Sequence, residues 1–118
     1  MQLVYIAGPF RAATAWEIEQ NVRRAEELAL EVARAGAMPV CPHTNTRFFH
    51  GQCTDEFWLA GTMELLHRCD AVVAAYGWER SSGSRAEVAE ADRCGIPAFL
   101  SADRMDYLEE WVRTWSRP

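Results

Sequence analysis

The residues with the greatest chemical potential are gathered in one stretch, Gly77-Trp78-Glu79-Arg80-Ser81-Ser82-Gly83-Ser84-Arg85-Ala86-Glu87. Hydroxyls and backbone amides at the start of a helix form an anion site, because the first helical amides lack carbonyl partners and the dipole is positive there. Ser81, Gly83 and Ser84 are therefore candidate ligand contacts, and Glu87 offers a carboxylate one turn inside the same end. Two readings of that glutamate stand side by side. Either it is aimed at a bound molecule, or Ser84-x-x-Glu87 is a capping box in which it returns a hydrogen bond to the backbone. A second turn, Gly8-Pro9-Phe10-Arg11, follows the first apolar run. Gly8 allows close backbone approach and Arg11 has a forked donor for phosphate, unless they are a turn glycine and a solvated arginine. That turn, where a nucleotide-binding fold keeps its first phosphate loop, matches neither the dinucleotide nor the P-loop fingerprint, which removes the main support for those two chemistries.

Other candidates are more ambiguous. Asp55 is either a ligand contact or an acid drawn to a helix start by the dipole. Phe57 and Trp58 are core residues or a wall for a planar base, with core favoured. Cys41-x-His43 and His50-x-x-Cys53 offer four soft ligands, but the spacing fits no standard zinc knuckle, so no metal is expected. His43 and His50 then line a long loop, as ligand contacts or as plain surface residues. No G-x-S-x-G elbow is present, which disfavours esterase chemistry.

These groups need a scaffold. Leu3 to Ala7 is a buried strand closed by Gly8-Pro9, and Trp16 to Ala35 has apolar residues at helical spacing up to Gly36. Ala37 to Cys41, cut by Pro39, predicts an edge strand, and residues 42–53 a loop. A helix from Thr54 or Asp55, a central strand Ala71 to Tyr76, a helix Ser84 to Cys94, a strand Ile96 to Leu100 and a helix Met105 to Trp115 complete the chain. The alternation predicts a three-layer α/β fold, flavodoxin- or Rossmann-like, with four or five mainly parallel strands and helices on both faces. The ligand then belongs at the carboxyl ends of the strands. Asp70, at the start of its strand, falls at the opposite edge.

With 118 residues, 49% of them hydrophobic, the chain reads as a single domain over 1–118. Its formal charge of −5 argues against nucleic-acid polymers as partners. No run is long and apolar enough for a membrane span and no leader is evident, so a cytoplasmic location with four free cysteines is expected.

Taken in order, Val4-Tyr5-Ile6-Ala7-Gly8-Pro9-Phe10, Asp55-Glu56-Phe57-Trp58, Cys69-Asp70-Ala71-Val72-Val73 and Gly77 to Glu87 resemble the nucleoside 2-deoxyribosyltransferase superfamily, which includes deoxynucleoside 5'-monophosphate N-glycosidases. The resemblance spans nearly the whole chain. It implies that Glu87 is the nucleophile attacking the anomeric carbon, that Tyr5 hydrogen-bonds it, and that Asp70 acts near the leaving base. This last implication conflicts with the place strand order assigns to Asp70. The transferases carry an aspartate six residues before the nucleophile, where this chain has Ser81. A serine there resembles the phosphate contact of the monophosphate hydrolases and moves nucleotides ahead of free nucleosides.

The expected function is cleavage of the N-glycosidic bond of a nucleotide or nucleoside, by hydrolysis or by 2-deoxyribosyl transfer. Glu87, Tyr5 and Asp70 are the catalytic set, and Gly8, Phe10, Arg11, His43, Asp55, Trp58, Ser81, Gly83 and Ser84 contact substrate, without a cofactor. The alternative is a nucleotide-binding sensor or interaction module without turnover. The aromatic tail, with Tyr107, Trp111 and Trp115, suggests a homo-oligomer interface, or it simply covers the sheet.

Overall fold

Four strands, Leu3–Ala7 (β1), Met38–Val40 (β2), Ala71–Ala74 (β3) and Ala98–Phe99 (β4), form one parallel sheet in the order β2-β1-β3-β4. The computed structural model describes residues 1–115, so the last three residues of the expected domain lie outside the described residues. Side chains alternate across the two central strands. Val4, Ile6, Ala71 and Val73 point to one face, where they pack with Ala25, Leu28 and Val32 of α1 (Ala15–Arg34) and Leu108 of α5 (Arg104–Thr114). Tyr5, Ala7, Val72 and Ala74 point to the other, against Leu66 of α3 (Asp55–His67) and Ala91 of α4 (Ser82–Arg93). The result is a three-layer α/β fold with four strands. Near-continuous apolar runs in β1 and β3 reflect this double burial.

Helix starts follow local chemistry. Thr14 caps α1 through the Glu17 amide, and Thr54 caps α3 through the Phe57 amide. The α4 boundary differs from expectation: its cap is Ser81, whose hydroxyl accepts from the Ser84 amide at 3.2 Å, and the helix begins at Ser82. Ser84 is therefore inside the first turn and caps nothing. The strands are shorter than their apolar runs, β3 ending at Ala74 and β4 spanning two residues, although the β1–β3 hydrogen bonding continues one residue further. Residues 42–53 are not all loop either, since Pro42–Asn45 forms a one-turn helix, α2, with Pro42 at its first position.

The chain leaves β1 for β2 on one side and later returns to place β3 on the other. The crevice that this reversal creates opens at the carboxyl ends of β1 and β3. Gly8 makes the two ends fit: a Cβ there would sit 3.0 Å from that of Ala75, while the Ala75 amide donates to the Ala7 carbonyl at 2.8 Å. In the aromatic tail, Trp111 packs on Phe99 and Trp115 on Trp111, whereas Tyr107 is exposed. Part of that aromatic content is thus used within the chain. Among the described residues no helix is long and apolar enough to cross a membrane, and the four cysteines are free thiols.

Candidate active site

A cavity of about 580 Å³ occupies the crevice, within the usual range for small-molecule sites. Tyr5 and Glu87 lie on its floor, and the first turn of α4, with Ser81, Ser82, Gly83 and Ser84, forms one wall. Gly8, Phe10 and Arg11 come from the β1–α1 turn, His43 from α2, and Asp55 and Trp58 from α3. Eleven of the twelve residues expected at the site therefore line one cavity. Asp70 does not.

Asp70 sits at the amino-terminal end of β3, where its carboxylate accepts the Leu3 amide at 2.8 Å and its own amide donates to the Leu3 carbonyl at 2.7 Å. It clamps the two central strands at the edge opposite the crevice. This is the place strand geometry predicts, and it lies outside the crevice to which the resemblance assigned Asp70.

The capping-box reading of Glu87 fails because Ser81 is the cap. Glu87 instead lies across from β1, with the Tyr5 hydroxyl in hydrogen-bonding reach of it and of Thr62 on α3. Burial pushes the Glu87 carboxyl up to about 7, with the Tyr5 hydrogen bond pulling the other way. Burial, and then the facing carboxylate, push the Tyr5 phenol well above its ordinary value, so it remains a proton donor throughout the working range of pH. A carboxylate that titrates near neutrality beside a permanent donor is a typical functional arrangement.

The first turn of α4 is equipped for an anion. The amides of Ser82 and Gly83 precede any intrahelical acceptor, Arg80 stands at the same wall, and the Ser84 hydroxyl is buried without a hydrogen-bond partner. A Cβ at Gly83 would come no nearer to the protein than 3.9 Å from the Ser81 hydroxyl, so nothing in the protein itself demands glycine there. Its bare backbone instead leaves that part of the wall open.

The remaining walls are fixed by specific contacts. His43 Nε2 is 2.9 Å from the Pro9 carbonyl and its ring meets Phe10 edge-on at 5.4 Å. Burial lowers its basicity, so it serves as a neutral brace for the β1–α1 turn. Asn21 Nδ2 donates to the Phe10 carbonyl at 3.0 Å from α1. Arg11 and Asp55 pair at 3.0 Å across the mouth, both exposed. Trp58 belongs to the cavity wall, while Phe57, favoured as core, is largely exposed beside it with ring centres 5.1 Å apart.

Sequence reasoning missed Thr46, Phe49, Leu59, Thr62 and Arg80, and it left His50 between ligand contact and plain surface. Arg47 explains how the loop bearing Phe49 and His50 is held, since its guanidinium bridges Glu19 and Glu26 of α1. Acids at positions 19 and 26, seven apart on one helix face, were the available signal. The four soft residues Cys41, His43, His50 and Cys53 are not gathered, because His43 is spent on Pro9.

The model of a family described as a domain of unknown function, DUF7768, matches residues 2–100, all of the sheet and every element lining the crevice. Nothing among curated proteins matches the chain. Among solved structures it is similar to a 2-deoxyribosyltransferase from the psychrotolerant bacterium Bacillus psychrosaccharolyticus, with 20% identity and a TM-score of 0.58 over 83% of this chain and 70% of that one. It is also similar to a conserved protein from Enterococcus faecalis V583, with 18% identity and a TM-score of 0.68 over 98% and 77%. At such identities the likeness establishes the fold, which is that of the 2-deoxyribosyltransferase.

Proposed function

The chain belongs to the DUF7768 family, and from the crevice that its fold builds we propose that it cleaves the N-glycosidic bond of a nucleotide or nucleoside, with Glu87 as nucleophile. One observation carries this reading: Glu87, held by Tyr5 on the cavity floor, faces a helix start with open amides and an unsatisfied serine hydroxyl. That is a buried carboxylate and an anion cradle in one cavity whose volume suits a nucleotide.

Breaking the bond between C1' and the base develops positive charge on the sugar. The Glu87 carboxylate stabilises that charge and then forms a bond to C1', while the C–N electron pair leaves with the base. The departing nitrogen takes its proton from solvent, since Asp70 lies at the far edge of the sheet. Water attacking the glycosyl-enzyme completes hydrolysis and frees Glu87, and a second base attacking it completes transfer. Tyr5 acts as a positioning residue, favouring the ionised carboxylate by donating to it. The 5'-phosphate lies against Ser81, Ser82, Gly83 and Ser84, where dipole and amides favour an anion. Trp58 and Phe10 flank the base, and Arg11 with Asp55 closes the mouth.

The test is incubation with a panel of nucleosides and 5'-monophosphates, with and without an acceptor base, and chromatography of the products. Free or exchanged base from the wild type, with none from Glu87→Gln, supports the reading. Saturable nucleotide binding with no base release by the wild type would replace it with the sensor alternative.

A further inference from the structure

At the sheet edge away from the crevice, α3 and α4 end side by side. Both run from the carboxyl edge of a parallel sheet back to its amino edge, so the negative ends of two helix dipoles meet there. His67 is the last residue of α3, while Glu90 and Cys94 stand four apart at the end of α4 and share a face. Their donor atoms all lie within 4.8 Å of one another. His67 Nε2 is 3.3 Å from Glu90 Oε2, and Cys94 Sγ is 3.8 Å from Glu90 Oε1. Donors around a tetrahedral zinc, bound at roughly 2.0–2.3 Å, stand about 3.3–3.8 Å apart. His67 and Cys94 each reach one of the two Glu90 oxygens at that spacing, and small side-chain rotations bring the three groups onto one ion.

We propose that His67, Glu90 and Cys94 form a binding site for zinc or a similar borderline divalent cation, with water as the fourth ligand. Imidazole, carboxylate and thiolate together suit Zn²⁺ and not Mg²⁺ or Ca²⁺, which take oxygen donors. Among the described residues no other group of three such donors converges. The Arg93 guanidinium now occupies the cation's place, bonded to Glu90 and 3.6 Å from the Cys94 sulfur. A metal ion displaces it and expels the Cys94 thiol proton to solvent. The bound ion ties α3, which carries Trp58, to α4, which carries Glu87. The site stands apart from the crevice, and its existence does not depend on the glycosidase reading.

The experiment is calorimetric titration of the intact chain with zinc, paired with cobalt spectroscopy, for the wild type and His67→Ala, Cys94→Ser, Arg93→Gln and Cys53→Ser. Circular dichroism of the metal-free variants checks that each is folded. The expected result is one saturable zinc per chain, weakened at least about tenfold by His67→Ala and by Cys94→Ser. Arg93→Gln tightens it, Cys53→Ser leaves it alone, and a thiolate-to-cobalt band in the wild type disappears in Cys94→Ser. Absence of saturable binding overturns the proposal. So does binding that survives both His67→Ala and Cys94→Ser, or binding lost in Cys53→Ser.

Discussion

Glu87 and Glu90 stand three residues apart on the same helix, yet their surroundings drive them in opposite directions. Burial against β1 lifts Glu87 to about 7, whereas Arg93 and then His67 hold Glu90 down at about 2. Glu87 is turned inward at the carboxyl edge of the sheet, with one neutral donor and a cavity before it. Glu90 is turned towards the amino edge and is surrounded by cationic or basic side chains. A carboxylate is made reactive by what it lacks: among the described residues no cation pairs with Glu87, so a developing positive charge on a ligand would be its natural partner.

Replacing Glu87 puts the contrast between the two glutamates to its most severe test. Glu87→Gln should lower base release by at least about 10³-fold, read by chromatography, since the nucleophile is gone. Glu90→Gln should leave the same rate within about twofold, as expected for a change outside the crevice. Equal losses from the two variants would remove the distinction.

A smaller effect is expected at the anion cradle. Ser84→Ala should raise KM for a 5'-monophosphate about tenfold while leaving KM for the matching nucleoside unchanged, because one hydrogen bond to a charged group is lost. Equal changes for both substrates would place the phosphate elsewhere.

The pH dependence follows from the raised Glu87 value. The nucleophile works as a carboxylate, so the wild-type rate should climb as pH rises through about 7. Tyr5→Phe removes the hydrogen bond that pulls Glu87 down, so its acid limb should move to higher pH, as read from a kcat/KM profile. A merely structural Tyr5 would lower the rate without moving the limb.

Stability should respond with a definite sign. Below pH 4.5 Glu87 is protonated in both folded and unfolded chains and contributes nothing. Between 4.5 and 7 the folded chain keeps a proton that the unfolded chain has lost, so its burial becomes increasingly destabilising and is fully so above 7. Glu87→Gln should therefore raise Tm above pH 7 and leave it nearly unchanged below 4.5, in thermal melts across that range. Asp70→Asn gives the complementary result, a loss of about 1–2 kcal/mol through its strand clamp with base release retained. Lost base release in a folded Asp70→Asn chain would reinstate it as catalytic.

Much of the architecture was legible from pattern alone. Period-3.6 spacing marked α1, continuous apolar runs marked β1 and β3, and Pro39 marked β2 as an edge. Such features depend on neighbours in the chain, and local sterics and solvation settle them. The gathering of Gly8, Phe10, Arg11, His43, Ser81, Gly83, Ser84 and Glu87 around one cavity followed from order, since the carboxyl ends of parallel strands share an edge, whereas Tyr5 was expected there from the resemblance alone. For Asp70 the rule of strand direction gave its location and the family resemblance did not.

A layered parallel sheet, and the strand edge at which Gly8 to Arg11 and Gly77 to Glu87 gather, could be read from local pattern, whereas the residues alone left Glu87 open between a cap and a site carboxylate. Tertiary structure alone decided that Ser81 and not Ser84 caps α4, that Thr62 reaches Tyr5, and that His67 comes within bonding distance of Glu90. It also decided that two glutamates one turn apart differ so widely in acidity. The reason is that burial and charge proximity are sums over residues distant in the chain, brought together only when the helices pack on the sheet.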